Sequence, residues 1–385
     1  MFSESILDKE SILKFKDEVY QTQYKDLPVF DCHTHIMHGP EGIQNAMLIK
    51  ELFNFEWMNV LSIPTWDFAQ NLKMMAFKNQ FSEKSYIFGG LIHNKEVLDA
   101  GYDYATQVKN LIALGFDGMK MLEGKPEIRK ELQKPLDDPS FDDYYKFLEE
   151  EQVPLLIHVA DPEEFWDREK VPEWAYNNGW FWGDGTYTSK EDLYREVDGF
   201  MTKFPKLHAI FAHFFFLSAD IDRAAAFLDK WENVSIDLTP GTEMFVNLSK
   251  NPEKARKFFL KYQDRILFGT DNFDPGTEEE LDIMVKIVRI MRQFLETDDT
   301  FQVWDLTFKG IGLERELLEK IYYKNFFKYV KNEPKKLNLE AAITESKRTI
   351  ELAELALVKD SKIEEMNELL NSLAATATAT VKGEA

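Results

Sequence analysis

The sequence predicts a (β/α)8 TIM barrel with helical extensions at both ends. Short runs rich in β-branched and aromatic residues alternate with longer helix-compatible segments, and there are eight such runs. Eight strands, each followed by a helix, close into a barrel rather than an open sheet. No glycine-rich phosphate loop follows any of them, which argues against a dinucleotide-binding fold.

The strand-like runs are 28–32, 58–63, 86–92, 118–122, 154–159, 209–213, 234–238 and 266–270. The helix-compatible segments between and after them are 42–53, 68–79, 97–114, 142–151, 190–203, 218–231, 252–262 and 277–295. Ser218 and Asn251 read as N-caps, the latter followed by Pro252 at the first turn. The stretch 161–189 is longer than a barrel connection needs. It carries Trp166, Trp174, Trp180 and Trp182, and reads either as a lid over the barrel mouth or as a fixed aromatic cluster or subunit contact. The stretch 337–373 lacks Gly and Pro and repeats Ile343, Ile350 and Leu357 at seven-residue spacing. This predicts one helix, packed on the barrel or on a partner subunit of a homo-oligomer, and the closing ATATATVKGEA reads as frayed. The expected organisation is a helical extension over 1–27, the barrel over 28–332, and a C-terminal helix and tail over 333–385.

Composition narrows the function. The chain of 385 residues holds 46 Lys and Arg against 68 Asp and Glu, a net charge of −22. Such a surplus of acid argues against nucleic-acid and anionic-membrane partners, whose phosphates require basic surfaces. No run approaches the roughly 18 apolar residues of a membrane span, and the N-terminus lacks the pattern of a signal peptide. A cytoplasmic protein acting on a small molecule is expected. The single cysteine, Cys32, excludes an intramolecular disulfide and a thiolate zinc site, leaving histidine and carboxylate as ligands.

In VFDCHTHI, His33 and His35 lie two apart, so an extended strand points both imidazoles to one side, with Cys32 and Thr34 on the other. Later strand ends add His158 in PLLIH, His213 in AIFAH and Asp271 in RILFGTD. In a barrel, strand ends far apart in sequence meet at one face. Imidazoles with one carboxylate suit Zn2+, or another first-row ion such as Mn2+, better than Mg2+ or Ca2+. The alternative for each residue is a satisfied structural polar group.

The motifs DCHTHI (31–36), GFDGMKML (115–122), PLLIHVAD (154–161), LHAIFAH (207–213), NVSIDLTP (233–240), RILFGTDNF (265–273) and IYYKNFFKYV (321–330) together resemble the amidohydrolase superfamily. Within it they are most similar to the branch of aminocarboxymuconate-semialdehyde decarboxylase. The resemblance implies a (β/α)8 barrel and one divalent metal held by His33, His35, His158 and Asp271. It places His213 beside the bound water or substrate, and Lys120 at the strand-four position that binuclear relatives carboxylate. An unmodified Lys120 in contact with substrate or with a ligand carboxylate is the reading favoured here. Asn325 matches a structural asparagine.

A metal-dependent hydrolase is the first functional expectation: a metal-activated water attacks the carbonyl of a lactone, amide or ester of a small polar substrate. Asp271 would take the water's proton and return it to the leaving group, while His213 polarises the substrate oxygen or orients the water. The alternative is a non-oxidative decarboxylase of a small or aromatic carboxylate. That chemistry calls for a cation on the carboxylate, with Arg129, Arg168 and Arg195 as candidates. A metal-retaining scaffold is the non-enzymatic alternative. His38, His93, Glu243, Asn272 and Asp274 are further candidates for the mouth, while His208 lies at the opposite end and reads as structural.

Overall fold

The computed structural model describes residues 6–382, with side chains to residue 378. Eight parallel strands, β1 Phe30–Thr34, β2 Trp57–Leu61, β3 Ser85–Gly89, β4 Gly118–Gly124, β5 Leu155–Val159, β6 Ala209–Phe211, β7 Val234–Asp237 and β8 Ile266–Leu267, follow one another in order around a barrel. Backbone bonds join the first strand to the last: Cys32 N–H donates to Phe268 O at 3.0 Å and Asp271 N–H to His33 O at 2.8 Å. All eight predicted strands are present. Nearly all their residues are buried, because helices cover the outer face and side chains fill the interior.

Two β-bulges decide what faces inward. On β1 the register advances three residues, Asp31 to Thr34, against two on β2. The extra residue resets the alternation. Cys32 therefore packs with Phe30, Leu61, Tyr86 and Leu156 inside the barrel, while His33 and His35 also reach the mouth. The expectation that Cys32 faces away from His33 fails for this reason. A second bulge lies between Met121 and Gly124 on β4.

The helix predicted over 97–114 is split into Lys95–Asp99 and Tyr104–Leu114 by Gly101, at φ +86°, and by Asp103, whose side chain caps the second piece. Asn251 caps Pro252–Lys261 as expected, whereas Ile221–Lys230 starts at Asp220 and not at Ser218. The hairpin of β9 Thr300–Val303 and β10 Leu306–Lys309 was not anticipated.

The C-terminal helix is two helices, Leu339–Leu355 and Asp360–Lys382, folded back on each other. The break falls at Leu357, which has φ +56° and is 90% exposed, so the seven-residue repeat ends on a turn. Met366, Leu369 and Leu373 are buried where the second helix meets Gln70–Gln80, so this segment belongs to the main hydrophobic core. The stretch read as frayed is helical to Lys382, and 383–385 lie outside the described residues. Among the described residues no helix is long and apolar enough to cross a membrane.

Candidate active site

The C-terminal ends of the strands open into a cavity of about 1400 Å³ lined by His33, His35, Lys120, His158, His213 and Asp271. Asp271 stands just past β8 in left-handed backbone, φ +56°. Its carboxylate lies 3.1 Å from His35 Nε2, 3.4 Å from His33 Nε2 and 4.0 Å from His213 Nε2. His33, His213 and Asp271 each offer a ligand atom within 4.8 Å of the other two.

The second nitrogen of each β1 imidazole is fixed by an acceptor. His33 Nδ1 donates to Asp237 Oδ2 at 2.9 Å and His35 Nδ1 to the Leu61 carbonyl at 3.1 Å. In the neutral rings both Nε2 lone pairs therefore face the Asp271 carboxylate. Acceptor opposes acceptor, an arrangement that a cation between them satisfies. Burial and the nearby Lys120 push the His33 pKa down to about 4, and burial with His158 does the same for His213, so both are neutral donors at neutral pH. Burial alone would raise Asp271, but His33, His35 and His213 outweigh it and hold the carboxyl well below its ordinary range. These residues fit a divalent ion by donor type, protonation and convergence.

Asp237 was not singled out from sequence, yet it braces two of these groups. Besides His33 Nδ1, it accepts from the backbone N–H of His213 at 2.8 Å, the N–H of Thr239 at 3.1 Å and the Thr239 hydroxyl. Burial opposes its ionisation, but His33 and these donors hold its pKa at about 2. His213 opens a turn of four left-handed residues through Phe216. Such backbone costs roughly 1–2 kcal/mol per residue. Buried stacking offsets the cost, with Phe215 at 4.4 Å from Phe227 and 4.6 Å from Phe211 between ring centres.

Lys120 is buried, and its Nζ approaches His33 Nε2 at 3.3 Å, so its partner is a ligand candidate's ring and not a carboxylate. Burial lowers its pKa to about 8 against the pull of Asp271 and Asp237. His158 is close to His213, ring centres 4.7 Å apart, but stands outside the His33, His213 and Asp271 group. Its Nε2 is turned to the Ala160 carbonyl at 2.8 Å and to Asp161 Oδ1 at 3.4 Å.

The remaining candidates divide. Glu243 lines the cavity, and burial with Glu164 and Asp161 nearby raises its pKa to about 7. His38 is also at the mouth, its Nδ1 2.6 Å from the buried Asp274, which in turn holds the Met37 N–H. His93 is taken up by Glu123 at 2.5 Å and Tyr104 at 3.0 Å, away from the cavity wall. Asn272 is buried beside Thr270, and His208 sits against Tyr329. Asn325 is structural, its side-chain amide donating to Gln263 O and Ile266 O.

The tryptophan-rich stretch forms its own buried cluster around Phe165, Val171, Ala175 and Trp182. Trp174, Trp180 and Trp182 also line the cavity, so the aromatic cluster is a wall of the site. Arg129 forks onto Glu196, Arg168 lies over Tyr176 and Arg195 pairs with Asp192. None of the three reaches the cavity, and among the described residues no arginine lines it.

Solved structures with a similar fold include the probable 2-pyrone-4,6-dicarboxylic acid hydrolase of Acinetobacter baumannii, at 13% identity over 79% of this chain and 99% of that one, TM-score 0.45. The IDCase of Metarhizium anisopliae in apo form is similar at 12% identity over 80% of this chain and 98% of that one, TM-score 0.47. An amidohydrolase from Mycoplasma synoviae is similar at 11% identity over 88% and 97%, TM-score 0.42. No curated protein matches the chain. The family model described as Amidohydrolase matches residues 104–325, more than half of the sequence, and the chain belongs to the amidohydrolase family.

Proposed function

We propose that this protein is a metal-dependent hydrolase that opens a lactone, amide or ester bond of a small-molecule substrate. The observation that carries the reading is the convergence of the His33, His35 and His213 Nε2 atoms on the Asp271 carboxylate at the floor of the cavity. His33, His35, His158 and Asp271 would hold one divalent ion, for which Zn2+ is the proposal. Such an ion supplies a nucleophile at neutral pH by lowering the pKa of water towards about 7.

The chain's own groups then have distinct tasks. Asp271, ionised and with its side chain 36% exposed, accepts the proton of the attacking water and delivers it to the leaving group. His213 stands on the opposite side of that carboxylate and orients the substrate oxygen. Lys120 places a cation beside the same floor and binds a polar substituent of the substrate. The tryptophan wall excludes water from the reacting bond.

Hydrolysis is favoured over decarboxylation by the cavity's cations. A carboxylate substrate is most firmly held by the planar fork of an arginine, and the candidate arginines are engaged elsewhere. A panel of lactones, amides, esters and aromatic carboxylates, with acid release and CO2 release followed separately, tests the assignment. Metal-dependent acid release without CO2 is expected, and CO2 release from a carboxylate would replace hydrolase by decarboxylase.

A further inference from the structure

The tryptophan-rich insert meets the barrel at a buried polar point that is also the anchor of His158. Asp161 is 5% exposed and uses both carboxylate oxygens. Oδ1 faces His158 Nε2 at 3.4 Å, while Oδ2 accepts from Trp182 Nε1 at 3.0 Å and from Lys125 Nζ at 3.2 Å. Trp182 is 2% exposed, at the centre of the insert's aromatic cluster. The Lys125 ammonium also lies over Trp180 at 5.1 Å and over Trp182 at 5.6 Å. The chain reaches this geometry through Ala160, held at φ +66°, a left-handed conformation that a non-glycine residue keeps only when its surroundings impose it.

We infer that Asp161 is a positioning residue that couples the tryptophan-rich insert to the metal centre by holding the His158 imidazole. A carbonyl oxygen only accepts, so the 2.8 Å contact with Ala160 O puts the His158 proton on Nε2. Nδ1 is then the nitrogen with a free lone pair. Asp161 and Ala160 together fix this tautomer and ring orientation, as a carboxylate or carbonyl does for a ligating histidine. Trp182 and Lys125 fix Asp161 in turn. The consequence is reciprocal: an ordered insert strengthens ion binding, and a bound ion orders the insert.

This inference rests on the proposed ligand set, and the test separates the two. The metal-free protein, its Trp182→Phe and Asp161→Asn variants, and Tyr176→Ala as an insert control are titrated with Zn2+ against a chromophoric chelator. Trp182→Phe keeps an aromatic ring in the cluster but removes the Nε1 donor together with part of the buried indole, so a weakening of at least about threefold to tenfold is expected, the worth of the lost hydrogen bond. An amide at 161 accepts on one oxygen only and loses either His158 or the Trp182 and Lys125 pair, so Asp161→Asn is expected to weaken binding by about 10- to 100-fold. Tyr176 is 42% exposed and has no contact with Asp161, so Tyr176→Ala is expected to bind Zn2+ like the parent. Hydrogen exchange across 161–189 in the unaltered protein is expected to slow when Zn2+ is added, a readout that stands even if Asp161→Asn does not fold. Parent-like affinity in Trp182→Phe together with unchanged exchange overturns the coupling and leaves the ligand set standing. Absence of Zn2+ binding by the parent overturns both.

Discussion

Replacing Asp237 by asparagine perturbs the site without removing a ligand. Both Asp237 oxygens are in use, one on His33 Nδ1 and the other on His213 N–H, Thr239 N–H and the Thr239 hydroxyl. An asparagine keeps its oxygen where three donors meet and turns its NH2 towards His33 Nδ1. Donor then faces donor, and the His33 ring relieves the conflict by moving its proton from Nδ1 to Nε2. Nε2 now presents a hydrogen where it presented a lone pair. Loss of a buried hydrogen bond to a charged acceptor costs about 1.5–3 kcal/mol, which the urea midpoint of the metal-free protein reads. Loss of the correct tautomer costs about 10- to 100-fold in metal affinity, or about 1.4–2.7 kcal/mol. Chelator competition on the refolded variant measures the second term. An Asp237→Asn protein with parental metal affinity would refute the claim that Asp237 sets the His33 tautomer.

Acid should weaken the fold through Asp161 and Asp237. Both have folded pKa values of about 2 against an ordinary 3.8, so each adds stability that is fully present above about pH 4 and is lost as the pH falls towards 2. At roughly 2 kcal/mol each, the loss is visible as a falling melting temperature between pH 4 and pH 2.5, and it should be shallower in Asp161→Asn; equal slopes would contradict the assignment. Leu369, 1% exposed at the contact with Gln70–Gln80, tests whether the C-terminal helices belong to the core. Leu369→Ala should cost about 2–5 kcal/mol in a single cooperative transition. A separate early transition would instead mark an independently folding appendage.

Much of this architecture is legible in the sequence because barrel strands are short, apolar and regularly spaced, and because mouth residues stand at their ends. His33, His35, His213 and Asp271 meet for that reason. What is not legible follows from local geometry that alternation ignores. A bulge on β1 turns Cys32 and His33 to the same interior, and no composition signal announces a bulge. His158 occupies the right strand end, but the left-handed Ala160 turns Nε2 onto the chain's own carbonyl. Asp237 is not legible because an aspartate in SIDLTP reads like any strand-end carboxylate; the available clue was its place at the end of the strand beside the one that carries His213. The continuous pattern over 337–373 hides a reversal at Leu357, since neither Gly nor Pro marks it. Residues 331–385 hold 8 basic and 10 acidic residues, so most of the net −22 lies in the first 330.

In the proposed function His33, His35, His158 and Asp271 bind one divalent ion on which turnover depends. Elemental analysis of the purified protein, paired with turnover before and after chelation and in His33→Ala, tests it most directly. One ion per chain is expected, with loss of that ion and of turnover together in His33→Ala and after chelation, and recovery when Zn2+ is restored to the chelated parent. Near-normal turnover by metal-free protein would contradict it.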